Sequence, residues 1–199
     1  FNVHNKVSIT IPCGIDEADA NHHISNQQFF HLGAMDWFPN QQGVDWLVKD
    51  VWPIVYAANN KLTLHLAGRA MSEKLLNLKA DGILVHGEVA NASEFRREHG
   101  IMLVPLLAGS GIRIKIIEGL AEGIPVISTQ IGAEGIPAEH GKEIIYADNA
   151  PDFASAMLQL ANNAELCQKI GKNASILAEQ NYLNKNLANR LMAFYSSAW

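Results

Sequence analysis

Residues 105–129 read PLLAGSGIRIKIIEGLAEGIPVIST. A short apolar strand, Met102 to Leu106, runs into Gly109, Ser110 and Gly111. A helical run to Glu122 follows, then Gly123, then a second strand from Pro125. The order is strand, glycine turn, helix, strand. Gly109 and Gly111 permit a sharp turn and a close approach by a ligand. The helix start aims free N–H groups and a positive dipole end at whatever lies over the turn, which is an anion site. Arg113 and Lys115 add two cations where the dipole disfavours them. A bound phosphate would offset that cost. Lys115, Glu118 and Glu122 fall at i, i+3 and i+7 and share one face. Ile114, Ile117, Ala121 and Ile124 are expected on the buried side. The same residues also suit a plain turn between core elements with its charges on a solvated face.

Outward from this stretch the pattern repeats. Phe29 to Ala34 is an expected strand, and Val44 to Ala58 a helix with Val44, Leu47, Val48, Val51, Val55 and Ala58 at helical spacing. Leu62 to Leu66 is a strand reaching Gly68, Ser72 to Lys79 a helix, and Ile83 to Val85 a strand reaching His86 and Gly87. Asn91 and Glu94 resemble a capping box for a short helix to His99. Ile144 to Ala147 makes a sixth repeat strand. Pro151 suits a first helical turn, with Phe153, Met157, Leu160 and Ala161 on that helix's buried face. Leu166, Ile170, Ala174, Leu177 and Ala178 mark another helix, and Asn184 to Tyr195 the last. Upstream, Lys6 to Pro12 (KVSITIP) alternates as a strand would. The polar stretch Asn21 to Gln28, with the adjacent pair His22 and His23, reads as a loop.

Strands alternating with helices specify an α/β fold with a doubly wound, mostly parallel six-stranded sheet, Rossmann-like. The expected order places the first repeat strand beside the fourth. Small residues recur just past the strand ends, at Gly33, Gly68, Gly87, Gly109, Gly111 and Gly132. In this architecture those ends share one edge, where ligands bind.

The chain has 199 residues, 48% of them hydrophobic and 18% charged, enough apolar side chain for a sizeable core. A net charge of −5 argues against a nucleic-acid footprint. The two cysteines, Cys13 and Cys167, lie far apart and are expected to be free thiols of a reducing compartment. No apolar run reaches the roughly 18 residues of a membrane span, and no signal peptide is evident, so a cytoplasmic location is expected. The first residue is Phe1, and the chain reads as a fragment of something longer.

Several chemistries lack their motifs. Gly109 to Ile114 begins like a dinucleotide fingerprint, but it lacks the third glycine and follows the fourth repeat strand rather than the first. There is no Gly-Lys-Ser/Thr phosphate loop, no serine elbow and no Cys/His zinc spacing. Glu118 is placed to accept two ribose hydroxyls while the helix start holds phosphates. Its other reading is an exposed pair with Lys115, worth about 0.2–0.5 kcal/mol.

Five segments, in order, resemble the C-terminal, donor-binding domain of a family 4 glycosyltransferase, the second half of the GT-B fold. Thr10 to Asp16 (TIPCGID) is similar to an "IPNGVD" turn. Leu32 to Asn40 (LGAMDWFPN) is similar to the first strand and donor loop. Glu118 to Thr129 (EGLAEGIPVIST) resembles "EAMAxGxPVVST", the most specific run. Ile131 to Gly135 and Ala147-Asp148 continue it.

The resemblance implies an N-terminal strand and connecting segment over 1–27, a nucleotide-sugar-binding domain over 28–182, and a C-terminal helix over 183–199. That helix would cross toward an absent N-terminal domain, which carries the acceptor. It implies a UDP- or GDP-sugar donor, retention at the anomeric carbon, and no metal or other cofactor. Gly33, Gly68, Gly87, Glu88, Val89, Gly109, Ser110, Gly111, Ile112, Arg113, Lys115 and Glu118 are implied at the donor. The base would meet Gly87, Glu88 and Val89. Arg113, Lys115 and Glu118 are implied in catalysis.

There are departures. Ser110 stands where the family's first motif glutamate contacts the sugar, as in a subgroup with "GGGxRxKxxEAMA". Ala34 stands where many members carry arginine, and the usual lysine is missing around Gln41 and Gln42. Arg113 and Lys115 are expected to supply that charge. The whole enzyme is expected to be bacterial, to build surface polysaccharide or glycolipid, and to sit peripherally on the inner membrane face. The fragment alone is expected to bind donor without transferring sugar. Two rivals stay open: a sugar-nucleotide epimerase of the same fold, and a non-catalytic nucleotide or sugar-phosphate module.

Overall fold

Phe29 and Phe30 are sequence neighbours on one strand, and both have no exposed surface. Adjacent strand residues point to opposite faces, so both faces of this sheet are covered, as in a parallel α/β sheet. The computed structural model describes residues 8–18, 20 and 25–198. The strands are β1 (Gln28–Leu32), β2 (Thr63–Ala67), β3 (Ile83–Gly87), β4 (Ile101–Val104), β5 (Val126–Ser128) and β6 (Ile145–Tyr146). They form a sheet in the order β3-β2-β1-β4-β5-β6, and every pairing is parallel. This is the expected dinucleotide-type order, with β1 beside β4.

One face carries α1 (Phe38–Trp46), α2 (Trp52–Ala58) and α6 (Ala150–Ala161). Val44, Leu47, Val55, Phe153 and Met157 pack there on Phe29, Leu64, Leu66 and Leu103. The other face carries α4 (Ala92–Glu98), α5 (Ile114–Ala121) and α7 (Ala164–Tyr182). There Phe95, Ile116, Ile117, Leu120 and Ala174 pack on Phe30, Met102, Val104 and Val126. A short α3 (Glu73–Leu76) and a terminal α8 (Asn184–Ala198) complete the elements.

The helix expected over Val44 to Ala58 starts earlier, at Phe38, and contains a π turn at Leu47–Val51. The Trp52 N–H bonds the Leu47 carbonyl, five residues back. Pro53 lacks an N–H for the next α-type bond, and the wider turn absorbs that break. Helix α3 is only one turn long, against the expected Ser72 to Lys79. Asn91 caps α4 by accepting from the N–H groups of Ser93 and Glu94. Asn149 caps α6 by accepting from Asp152. Asn149→Ala is expected to cost about 1 kcal/mol, read as a lower urea midpoint at constant slope.

Upstream of β1 the expectation fails in part. Residues 1–7, and the pair His22 and His23, lie outside the described residues. Ser8 to Pro12 form no strand, and Ile9 and Ile11 are both exposed. Alternation alone provides no neighbour to pair with. The next turn is held instead to the junction of the last helices. Ile15 N–H donates to Tyr182 O, and Asn184 N–H donates to Ile15 O, both at 2.9 Å. Cys13 is an exposed thiol and Cys167 a buried one. No helix among the described residues is long and apolar enough to cross a membrane.

Candidate donor site

The site lies at the carboxyl edge of the sheet, around the turn between β4 and α5. Gly109 and Gly111 take φ of +124° and +84°, a region closed to most side chains. Helix α5 begins later than expected, at Ile114, and Arg113 is its extended N-cap residue. Arg113 therefore sits in the turn, not in the first helical turn. Its Nη1 donates back to the carbonyls of Ser110 and Gly111. Its guanidinium lies 5.1 Å from the centre of the Trp37 ring, close enough for cation–π attraction. Arg113 is buried, and its Nε and Nη2 have no hydrogen-bond partner among the described residues. Buried donors without partners are costly, and an acceptor that reached them would relieve that cost.

Lys115 turns away from Glu118. Its Nζ donates to Leu32 O at 3.2 Å and to Asn40 Oδ1 at 3.3 Å. It thereby spans from α5 to the end of β1. Burial, and then the Arg113 charge, bring its pKa down to about 7. Asn40 is fixed in turn by donating to Ala34 O at 2.8 Å. His31 lies fully buried nearby, its Nδ1 3.0 Å from Leu103 O. Burial, with the Lys115 charge, pushes its pKa to about 3, so the ring is neutral. Arg113, Lys115, Asn40 and His31 thus group two cations with neutral polar side chains at this edge of the sheet.

Glu118 does not pair with Lys115. It accepts from Arg96 Nη1 at 2.8 Å. Arg96 also grips Glu122 in a fork, with Nε and Nη2 each 2.8 Å from a carboxylate oxygen. Ser93 Oγ donates to the same carboxylate at 2.7 Å. Burial penalises the Arg96 charge, but Glu122 and Glu118 outweigh it and hold its pKa above the ordinary arginine value. Arg96 thus steadies Glu118 from the next helix. The Glu118 side chain stays 40% exposed, and among the described residues its Oε1 accepts no bond. It lines a cavity of about 570 Å³ with Gly14, Asp16, Arg96 and Ile114. Ile114, expected to be buried, is 48% exposed. It stands at the free start of α5, beyond the sheet that covers Ile117.

The glycines divide by duty. Gly33 N–H donates to Ala67 O at 3.0 Å, and Gly68 N–H to Gly87 O at 2.8 Å. A Cβ on Gly68 would lie 1.8 Å from Gly33 O. Those two serve close packing of neighbouring strand ends. Gly111, by contrast, is exposed and a Cβ there would meet nothing within 4 Å. Ser110 and Ile112 are exposed beside it, and Glu88 is exposed beyond β3, where Val89 is half-buried against the core. Arg113, Lys115 and Ser110 gather at one turn, Glu118 lies one helical turn away, and Glu88 and Val89 follow a different strand. Arg96, Asn40 and His31 were not singled out in the sequence. A second cavity, of about 320 Å³, lies between α1 and α3 and holds none of the candidate residues.

Residues 26–163 match the family described as Glycosyl transferases group 1. The chain belongs to that family, and its fold is that of the C-terminal domain of a GT-B glycosyltransferase. It is 26% identical over 173 residues to an uncharacterised 44.6 kDa protein in the cps region of Klebsiella pneumoniae, covering 82% of this chain and 45% of the relative. It is 28% identical over 142 residues to an uncharacterised glycosyltransferase of Methanocaldococcus jannaschii, covering 68% and 39%. The chain therefore spans less than half the length of these curated relatives. Among solved structures, a variant of S. aureus TarM in complex with fondaparinux, α-GlcNAc-glycerol and UDP superposes with a TM-score of 0.76 at 18% identity, over 98% of this chain and 40% of that one. HepE of Anabaena in complex with UDP gives 0.67 at 16%, over 87% and 49%. The C-terminal domain of a Francisella tularensis group 1 glycosyltransferase gives 0.65 at 15%, over 86% of this chain and all 100% of that one. At these identities the structural likeness speaks for the fold.

Proposed function

We propose that this chain is the donor-binding half of a retaining glycosyltransferase that moves a sugar from a UDP- or GDP-sugar to a polysaccharide or glycolipid acceptor. The observation that carries the reading is Arg113, a buried cation at a glycine turn with two donors unpartnered among the described residues. The diphosphate of the donor fits against Arg113, Lys115 and the start of α5. The ribose hydroxyls fit Glu118, and the base fits the end of β3 at Gly87, Glu88 and Val89. Family membership supports a transferase, and the UDP in the Anabaena and S. aureus structures supports a nucleoside diphosphate. The cps region named for the Klebsiella relative supports a surface-polysaccharide role.

Chemically, the chain's task is to stabilise charge on the leaving diphosphate. Fixed donors in a dry cleft do this without reorganising. Arg113 and Lys115 supply that charge, and the dipole of α5 adds to it. Glu118, held by Arg96, orients the nucleoside. The acceptor is assigned to an N-terminal domain outside this sequence, reached by α8, so the chain by itself binds donor and transfers nothing. The full-length protein, supplied with UDP- and GDP-sugars and membrane glycolipid, is expected to form product with the donor's anomeric configuration, read by proton NMR. An inverted product would refute retention. Transfer by this chain alone would refute the division of labour.

A further inference from the structure

Three histidines from three elements meet on the α4 side of the sheet, beside the end of β3 where the base is placed. His65 lies on β2, His86 on β3, and His99 just past α4. One nitrogen of each falls within 4.8 Å of the others. His65 and His99 are buried, and His86 is exposed. His65 Nδ1 is 3.0 Å from His86 Nε2. Their ring centres are 5.2 Å apart with planes only 17° from parallel. With nitrogens that close and centres that far, the rings meet edge to edge, and their nitrogens face each other. The His99 ring centre lies 4.1 Å from that of His65.

Each buried ring has its outer nitrogen already engaged. His99 Nδ1 is 2.8 Å from Phe95 O, and a carbonyl only accepts, so that nitrogen carries the proton. This leaves His99 Nε2 as a lone pair. His65 Nε2 is 3.0 Å from Thr63 Oγ1. Ligand histidines in metal sites are oriented in this way, by a carbonyl or hydroxyl on the far nitrogen. Two imidazole nitrogens bound tetrahedrally at about 2.0–2.1 Å are separated by about 3.3 Å. The His65–His86 spacing is close to that, whereas the His99 ring, centred 4.1 Å from that of His65, has to swing outward for its Nε2 to join them.

We propose that His65 Nδ1, His86 Nε2 and His99 Nε2 form a site for a divalent transition-metal ion of the zinc type, with its fourth position open to solvent beside His86. Three neutral imidazoles suit such an ion, and carboxylate-preferring magnesium or calcium does not fit them. A metal binds imidazole through a nitrogen that carries no proton, and the carbonyl bond at His99 Nδ1 leaves its Nε2 in that form. The ion would tie β2, β3 and the end of α4 together. Since α4 carries Arg96, the site stiffens the helix that steadies Glu118.

The test uses the chain after chelator treatment, titrated at neutral pH with Zn²⁺ alone by calorimetry and with Co²⁺ alone by visible absorption. One equivalent of Zn²⁺ is expected to bind and to raise the unfolding temperature. Co²⁺ is expected to show the intense bands of tetrahedral coordination. His86→Ala removes an exposed ligand and is expected to keep the fold, checked by circular dichroism. It is expected to weaken Zn²⁺ at least ~10-fold, given that loss of even an outer-shell partner costs about that much, and to abolish the Co²⁺ bands. Long-range ¹H–¹⁵N spectra are expected to show metal-induced shifts at His65 Nδ1 and His99 Nε2. No saturable binding would leave a chain of hydrogen-bonded imidazoles and overturn the proposal. Binding undiminished by His86→Ala, held instead at Cys13 or at His22 and His23, would overturn it equally.

Discussion

An Arg96→Ala chain is expected to lose about 3–5 kcal/mol of stability, the cost of stripping one partner from a buried ion pair. Glu122 would lose its charged partner with only 7% of its side chain exposed. Ser93 Oγ alone would then hold it. The arm to Glu118 adds little to this figure, because that carboxylate is 40% exposed and solvent screens it. The measurement is urea denaturation, with the midpoint falling and the slope unchanged. Adding Glu122→Leu to Arg96→Met should restore much of the loss, since no buried charge is then left unpaired. A loss under about 1 kcal/mol for Arg96→Ala would mean that water reaches Glu122 and that the fork is a surface feature.

The second large effect concerns Arg113. Arg113→Ala is expected to weaken nucleoside diphosphate binding by about 1.5–3 kcal/mol, or roughly 10- to 100-fold, the worth of hydrogen bonds to a charged group. The fold should survive, because among the described residues Arg113 hydrogen-bonds carbonyls of its own turn alone. Lys115 contributes a pH signature. Its pKa without ligand is about 7, lowered by burial and by Arg113. A bound diphosphate favours the charged ammonium and raises that value. The complex then holds more protons than the free chain above pH about 7, so affinity falls as pH rises beyond it. Calorimetry in buffers of different ionisation enthalpy should show proton uptake, and Lys115→Met should abolish both the uptake and the slope.

The sheet was legible because its signals are local. Apolar strands, helical spacing and glycines at the strand ends each occupy a few consecutive residues, and right-handed crossovers leave few arrangements of them. Ser8 to Pro12 shows the limit: its alternation is as regular as that of a strand, yet among the described residues it pairs with no strand. Ile114 shows another. Periodicity puts it in line with Ile117 and Ala121, but the first residue of a helix can project past what the helix packs on.

In the site, the turn and its cations were legible from composition and spacing, while their directions were not. Arg113 curls back because its backbone is extended, and Lys115 crosses to β1 because Asn40 and Leu32 offer oxygens there. Arg96 reaches Glu118 and Glu122 across 22 and 26 residues of sequence. In the sequence it is one of two adjacent arginines on a short helix. The histidines of β2, β3 and α4 had no shared motif, since only the parallel register and the packing of α4 bring them together.

The central claim is that the turn between β4 and α5 binds the diphosphate of a nucleotide sugar and that Glu118 binds its ribose. Calorimetric titration of this chain with UDP, GDP, ADP and NAD, beside Glu118→Ala, tests it most directly. The account predicts saturable binding of UDP or GDP at one site, weakened by Glu118→Ala in a chain that remains folded. Binding of NAD with none of the diphosphates, or diphosphate binding indifferent to Glu118→Ala, would contradict it.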